Sequence, residues 1–205
     1  MSLESYNPEE LIRQLQDSLR SLPYVRPEEI PNIDLYMDQV TSFMDAHLSP
    51  DSHDGDSRVI TKTMINNYAK NKLLPPPVKK KYSSEHMLIL VFIYYFKGIL
   101  SLQDIHSLLG PLAGRFFHTG NSIDISRIYG EIMEECSSET DRILDDISAF
   151  IEKAGTTFSD ADENDRDFLR YFTLICYLAL DVYMKKYVIE QLIDDCPSPE
   201  PQEKH

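Results

Sequence analysis

The chain has 205 residues and carries 34 acidic against 20 basic side chains, a net charge of −14. This length fits one domain or two small ones, and a hydrophobic content of 42% excludes a disordered or collagen-like chain. Three cysteines cannot form a disulfide framework, and their odd number fits a reducing compartment. The longest apolar run, Met87–Phe96, is about half as long as a bilayer-spanning helix, and no secretory signal is visible, so we expect a cytoplasmic protein.

Positive charge is concentrated in one window of this acidic chain. Eight basic residues and a single acid, Glu85, lie between Arg58 and Gly98, which gives the window a charge of +7 and leaves −21 on the rest. Such a window permits contact with a polyanion on one surface, while the acidic remainder would repel it. On composition alone, a solvated helix–loop surface is the commoner explanation for clustered lysines.

Helical periodicity, capping residues and proline breaks predict an almost entirely helical chain. Pro8 opens the first helix, and three prolines then make a linker over residues 22–32. Thr61 caps a short amphipathic helix, and Pro75–Pro77 prevent it from continuing. A short extended piece, Val78–Tyr82, follows, and no strand is predicted elsewhere. Helices are predicted at 8–22, 34–47, 62–71, 84–97, 102–109, 123–136, 138–154 and 164–194.

The last predicted helix differs from the others. Apolar residues cover nearly its whole circumference from Phe168 to Ile193. A helix that is apolar all round is buried in a core or in an interface. We therefore expect residues 164–194, like the apolar run Met87–Phe96, to be covered.

Two consecutive blocks resemble the winged helix-turn-helix of MerR-like transcription regulators. In those proteins a tyrosine-bearing helix ends in Leu-Leu-Pro, a basic wing follows, and a Tyr-Ser pair opens the next helix. Here these places hold Tyr68, Leu73-Leu74-Pro75 and Tyr82-Ser83. The continuation over residues 92–109 also matches. It consists of a helix, a glycine, a Ser-Leu pair and a helix with the pattern Ile-x-x-Leu-Leu. Two matched blocks are more specific than a lone helix-turn-helix pattern. The whole chain further resembles a bacterial family of uncharacterised proteins that carries this head.

The resemblance implies an all-α fold in which a MerR-like winged helix-turn-helix is followed by a C-terminal helical bundle. Residues 1–32 would form an N-terminal helix and a proline-rich linker, 33–109 the winged helix-turn-helix, and 110–205 the C-terminal helical domain with a polar tail. The first helix would pack onto one of the two domains. The resemblance also implies double-stranded DNA as the partner, transcription regulation as the function, and a homodimer formed through the C-terminal helices.

The candidate DNA-contacting residues lie on the second helix and on the wing. In a helix-turn-helix the N-terminal side chains of the second helix meet base edges, where asparagine suits adenine, while lysines neutralise phosphates. The candidates are Thr61, Lys62, Thr63, Asn66, Asn67, Lys70, Lys79, Lys80, Lys81 and Tyr82. Met64, Ile65 and Tyr68 have the helical spacing of core residues. One departure from the MerR-like pattern is the segment 49–57, which inserts three aspartates that would weaken DNA binding by repulsion.

Two other classes of function stay open. A protein–protein interaction module would keep the helix-turn-helix scaffold but cover Thr61–Asn67 with its own chain. An enzyme or small-molecule sensor would need an enclosed pocket with converging polar groups. No P-loop, dinucleotide fingerprint, nucleophile elbow or catalytic pair is present, so an enzyme is not expected. The cysteines and histidines lack metal-binding spacing, so neither metal nor cofactor is expected, and Cys136, Cys176 and Cys196 are expected to be small buried hydrophobes.

Overall fold

The computed structural model describes residues 5–20, 25–48 and 59–196, and these are mostly helical, which confirms the all-α prediction. The α-helices are α1 (Pro8–Arg20), α2 (Met37–Leu48), α3 (Lys62–Lys70), α4 (Ser84–Phe96), α5 (Leu102–Phe116), α6 (Ile125–Ser138), α7 (Thr140–Gly155) and α8 (Glu163–Asp195). Two short strands, β1 (Leu35–Tyr36) and β2 (Lys81–Tyr82), pair antiparallel with Leu35 opposite Tyr82. Within the described ranges, each helix is too short or too polar to traverse a bilayer.

Packing divides the described residues into two compact units. The terminal unit comprises residues 5–20 and 135–188, and the central unit comprises residues 25–48, 59–134 and 189–196. Helices α6 and α8 contribute to both units. This grouping divides the chain at other places than the domain boundaries predicted after residues 32 and 109, which stay predictions.

The core of the central unit is built around α4. Every residue from Met87 to Ile93 is at most 5% exposed, as predicted for this apolar run. Side chains from α2, α3, α5 and α6 and from the two strands complete the cluster. A helix that is apolar on all sides is stable only when it is surrounded in this way. Helix α4 therefore fixes the places of α3 and β2, which carry the candidate site.

The core of the terminal unit joins the first helix to α7 and α8. Tyr6, Leu11, Ile151, Ala154 and Leu174 form its buried cluster. The hydroxyl of Tyr6 donates a hydrogen bond to the carbonyl of Ile151 over 2.6 Å. A side chain at Gly155 would lie 3.3 Å from the Tyr6 ring, so this position leaves little room for more than glycine. The first helix thus packs on the C-terminal helices, one of the two expected arrangements.

Two elements differ from the sequence prediction. Helix α5 does not end at residue 109 but continues through Gly110 and Pro111 to Phe116. An internal proline costs roughly 3 kcal/mol, which here is offset because Leu112 and Phe116 continue the apolar face and pack on the core. Strand β1 takes up the start of the predicted helix 34–47, which begins at Met37 instead. It was not predicted because two residues are too few to show an alternating pattern.

Helix α8 agrees with its predicted bounds, but its apolar surface is not covered by the chain. In the run Phe172–Leu180, predicted to be buried, only Leu174 is fully buried, and Tyr177 and Leu178 are partly buried against the same core. Ten large apolar side chains of α8 are more than half exposed: Phe168, Phe172, Ile175, Leu180, Val182, Tyr183, Met184, Tyr187, Val188 and Leu192. The prediction of burial is therefore wrong for the isolated chain.

The cysteines also depart from expectation. Cys176 is partly exposed and Cys196 is exposed, so Cys196 is not a buried small hydrophobe. The side chain of Cys136 lies outside the described residues.

Candidate nucleic-acid interface

Helix α3 separates a buried face from a polar exposed face. Its N-cap is Thr61, whose hydroxyl accepts a hydrogen bond from the backbone N–H of Met64 over 3.2 Å. Ile65 and Tyr68 are buried, and Met64 is partly buried against the same core, as predicted. The exposed candidates on this helix are Lys62, Thr63, Asn66, Asn67 and Lys70.

The C-terminus of α3 is closed by a lysine in an unusual conformation. The N–H of Leu73 donates to the carbonyl of Tyr68, and the N–H of Lys72 donates to the carbonyl of Ala69. This is a Schellman motif, and its left-handed position is held by Lys72, with φ 58°, where glycine is the usual residue. The long side chain of Lys72 is exposed beside the end of the helix.

The predicted wing is a two-residue β-hairpin turn. Val78 and Lys81 exchange two backbone hydrogen bonds of 3.1 and 2.9 Å, and Lys79 and Lys80 form the turn between them. Both central residues have positive φ, 51° and 64°, which a type I′ turn requires and which Asn-Gly or Gly-Gly adopts more easily. A left-handed conformation costs a non-glycine residue roughly 1 kcal/mol or more. The tip of the hairpin thus keeps two exposed lysines at an energetic cost.

Residues 36–38 lie between the wing and the start of α3. Tyr36 pairs with Lys81 across the sheet, and the ammonium of Lys81 lies 5.2 Å from the centre of the Tyr36 ring. Asp38, in the first turn of α2, makes an ion pair with Lys62 at the first turn of α3. The wing and the N-terminus of α3 therefore adjoin the same short segment, and their exposed side chains border one surface.

The positive charge of this surface is mostly unneutralised. Within the described ranges, Lys70, Lys72, Lys79 and Lys80 make no ion pair with a carboxylate. Lys62 is the exception because of Asp38. An exposed ion pair of this kind is worth about 1 kcal/mol or less, so a phosphate can compete for the lysine.

One basic residue of the window, Lys97, does not belong to this surface. Lys97 donates a 2.7 Å hydrogen bond to the carbonyl of Val59, and burial lowers the pKa of Lys97. Arg58 lies outside the described residues, as does the acidic segment 49–57, whose predicted effect on DNA stays a prediction. The described chain on either side of this segment is held by a hydrogen bond. The carbonyl of Leu48 accepts from the hydroxyl of Tyr94 over 2.8 Å, and the carbonyl of Val59 accepts from the ammonium of Lys97.

Tyr82 is the one candidate that the structure places in the interior. Its ring is 2% exposed and its pKa is raised by burial. Tyr82 therefore anchors the hairpin in the core, and its side chain is not presented at the surface. Thr61, half-buried as the cap of α3, has its hydroxyl engaged with the helix.

A polar cluster that the sequence analysis did not single out lies at the base of the wing. The Nδ1 atom of His86 accepts from the backbone N–H of Ser83 over 3.0 Å and lies 2.8 Å from the Ser83 hydroxyl. The same hydroxyl is 2.9 Å from Nε2 of His118. Buried Glu85 accepts from the backbone N–H of His118 over 2.6 Å. These bonds join the start of α4, which follows the wing directly, to the segment after α5.

The buried imidazole of His86 is held in its neutral form. His86 is 1% exposed, and burial lowers its pKa to about 4, the neighbouring His118 acting in the same direction. Because Nδ1 accepts from Ser83, the ring proton resides on Nε2, which lies 3.4 Å from the carbonyl of Pro76. A histidine at the third position of a helix here plays the part usually taken by glutamate or glutamine in a capping box.

Lys72 and Tyr36 also border the surface, and Tyr36 was not among the candidates. The left-handed position of Lys72 is visible only in the backbone. Tyr36 is 54% exposed, and an exposed tyrosine beside a lysine hairpin can contact a phosphate or a sugar. Within the described residues, no group of three or more His, Cys, Asp or Glu side chains is arranged to hold a metal ion.

A comparison with protein-family models matches residues 25–132 to DUF1836, a domain of unknown function. The match covers just over half of the chain and nearly all of the described central unit. No curated protein and no solved structure matched the chain. The expectation of an uncharacterised family is therefore confirmed: the chain belongs to the family defined by the DUF1836 domain.

Proposed function

We propose that this chain is a non-enzymatic, cytoplasmic DNA-binding transcription regulator whose central unit contains a MerR-like winged helix-turn-helix. Helix α3 would enter the major groove, where Lys62, Thr63, Asn66 and Asn67 are available to base edges. The hairpin lysines would hold the flanking phosphates. Tyr82 would support the wing from inside, and Thr61 would cap the helix.

The observation that carries this proposal is the pair of left-handed lysines at the wing tip. Asn-Gly would form the same turn with less strain, so folding alone does not favour Lys79-Lys80. Strain of this kind at exposed, uncompensated charges is typical of a position whose side chain has a role outside the fold. Two adjacent ammonium groups projecting from a tight turn suit a phosphate backbone.

The exposed face of α3 supports DNA binding as the proposed function, rather than a protein–protein interaction module. An adaptor that had abandoned DNA would be expected to cover Thr61–Asn67 with its own chain, and of these residues Thr61 is half-buried. Lys62, Thr63, Asn66 and Asn67 are instead exposed, with Lys70 and Lys72 beside them. A protein–protein interaction module that reuses this scaffold is the alternative function.

The proposal includes a homodimer formed through α8. Phe168, Phe172, Ile175, Ala179 and Val182 are exposed and recur at intervals of four and three residues, the a/d spacing of a coiled coil. Exposed apolar surface of this extent on a soluble protein is typical of an interface. Two copies would then present two DNA-binding heads to two half-sites.

Fluorescence anisotropy with the purified full chain tests this function. A labelled duplex from upstream of its own gene is compared with a scrambled duplex at two salt concentrations. We expect tighter binding to the upstream duplex and a steep loss of affinity with salt. Absence of binding at low salt to both duplexes and to pooled genomic fragments would contradict the proposal and favour the interaction module.

A further inference from the structure

A cavity of about 300 Å³ lies within the central unit, between α4, α5 and α6, and Cys196, directly after α8, also lines it. Its wall is almost entirely apolar. The principal wall residues are Phe92 and Phe96 of α4, Leu109, Leu112 and Phe116 of α5, and Ile128 of α6. Such a volume is at the lower end of the range for small-molecule pockets, roughly 300–1,000 Å³, and fits one or two fused rings better than a long chain.

The described wall disfavours a charged occupant. Among the residues that the structure describes, none of those lining the cavity is a Lys, Arg, His, Asp or Glu. A charge placed there without a partner would lose its hydration and gain nothing in return. Three phenylalanine rings instead offer edges and faces to another ring, an arrangement that adds to the gain from apolar burial.

One polar group of the wall would orient a ligand in the cavity. Pro111 has no backbone N–H, so the carbonyl of Ser107 lacks the donor that a helix normally supplies four residues later. Ser107 and Pro111 both line the cavity. A carbonyl oxygen without its helical partner beside an apolar cavity is an acceptor that suits a ligand hydroxyl or N–H.

We propose that this cavity is a binding site for an uncharged aromatic molecule that carries one hydrogen-bond donor, such as a phenol or an indole. The rings of Phe92, Phe96 and Phe116 hold its apolar body, and the carbonyl of Ser107 accepts from its donor. Neither DNA nor a second copy of the chain is needed for this binding.

The probes that test the site are 2-naphthol and 2-methoxynaphthalene, which share a ring system but differ in the donor. Their binding to the full chain is followed by their own fluorescence, which is practical because the protein has no tryptophan. We expect 2-naphthol to bind about two- to tenfold more tightly, the range that one net hydrogen bond provides. Equal affinities would overturn the role of the Ser107 carbonyl.

Two variants test whether the probes bind in this cavity. Pro111→Ala restores the helical N–H to the Ser107 carbonyl, so we expect the preference for 2-naphthol to disappear while α5 gains stability. Ser107→Phe adds a ring at the exposed rim, where folding tolerates it, and we expect at least tenfold weaker binding of both probes. Gln103→Phe, on the exposed start of the same helix and outside the wall, serves as the matched control.

The exposed face of α8 and a second copy of the chain are the competing explanations. If Ile175→Glu abolishes probe binding and Ser107→Phe does not, the probe binds α8 and the proposal is wrong. If probe affinity falls as the protein concentration is raised, a second copy occupies the cavity, which also overturns the proposal. These outcomes are independent of DNA binding, so failure here leaves the proposed function to its own test.

Discussion

The imidazole of His86 accepts the backbone N–H of Ser83 through Nδ1, at 3.0 Å, and thereby closes the first turn of α4. The ring is buried and neutral, and its bond fixes the proton on the other nitrogen. This pair lies directly after the wing, which makes the wing base sensitive to protonation of a single side chain.

Acid should destabilise the protein through His86. Its pKa is about 4 in the folded chain and about 6.5 when unfolded, so below pH 6.5 the unfolded chain binds the proton first. The contribution of neutral His86 to the free energy of unfolding is fully present above pH 6.5. It is lost as the pH falls towards 4, which lowers the free energy of unfolding by roughly 3 kcal/mol. Urea denaturation between pH 7 and pH 4 measures this loss.

The matched variant for this prediction is His86→Gln. Glutamine keeps an acceptor at the third helical position but does not titrate. We expect its free energy of unfolding to fall less steeply with acid than that of the native chain. Parallel pH profiles for the two proteins would show that His86 is not the titrating group.

Replacing the wing tip with a relaxed turn should stabilise the fold. The double variant Lys79→Asn with Lys80→Gly places the preferred residues in a type I′ turn, and we expect the free energy of unfolding to rise by about 1–2 kcal/mol. Thermal or urea denaturation measures the change. A loss of stability would mean that the two lysines serve the fold, which removes the reason to assign them to DNA.

Removing the acid beside α3 should strengthen DNA binding. Asp38→Asn frees Lys62 from its ion pair and deletes a negative charge next to the groove-facing helix. We expect severalfold tighter binding at low salt and a smaller effect at high salt, because screening weakens the repulsion that is removed. Glu9→Gln makes the same change in net charge on α1 and should leave the affinity unchanged; equal gains in the two variants would refute a local effect.

A charge in the apolar face of α8 should dissociate the homodimer. Ile175 is 62% exposed and lies in the middle of the a/d series, so Ile175→Glu would place a carboxylate in the interface without a cost to the chain's own core. Sedimentation at micromolar concentration should give a dimer for the native chain and a monomer for the variant. Gln191→Glu is the control, because it adds the same charge on this helix outside that series. If the native chain is already monomeric, α8 is not a homodimer interface.

The sequence predicted the helices well because their signals are local. Apolar spacing and caps such as Thr61 placed α3 and α8 within one residue of their observed bounds. The extension of α5 past Pro111 was missed because tertiary packing of Leu112 and Phe116 overrides a local helix breaker. Burial of α8 was misjudged for a similar reason: periodicity shows that a helix is apolar, but not which molecule covers it.

The exposure of most candidate residues could be predicted from the sequence, but the geometry of the surface could not. Exposure of Asn66 and Asn67 follows from the apolar face opposite them, which is a local pattern. Three features depend on tertiary packing or on backbone dihedral angles. They are the interior position of Tyr82, the ion pair of Lys62 with Asp38, and the left-handed backbone of the wing lysines. None of these leaves a signature in composition or spacing.

The most direct test of the DNA-binding account is the salt dependence of affinity for the native chain and for the Lys79→Asn, Lys80→Gly variant on the same upstream duplex. Because the variant turn is at least as stable, weaker binding cannot be ascribed to misfolding. We expect the variant to show lower affinity and a slope of log K against log salt that is shallower by about 2, from two lost phosphate contacts at about 0.9 each. Equal affinity and equal slope would contradict the DNA-binding proposal, because the strained lysines would then make no contact with DNA.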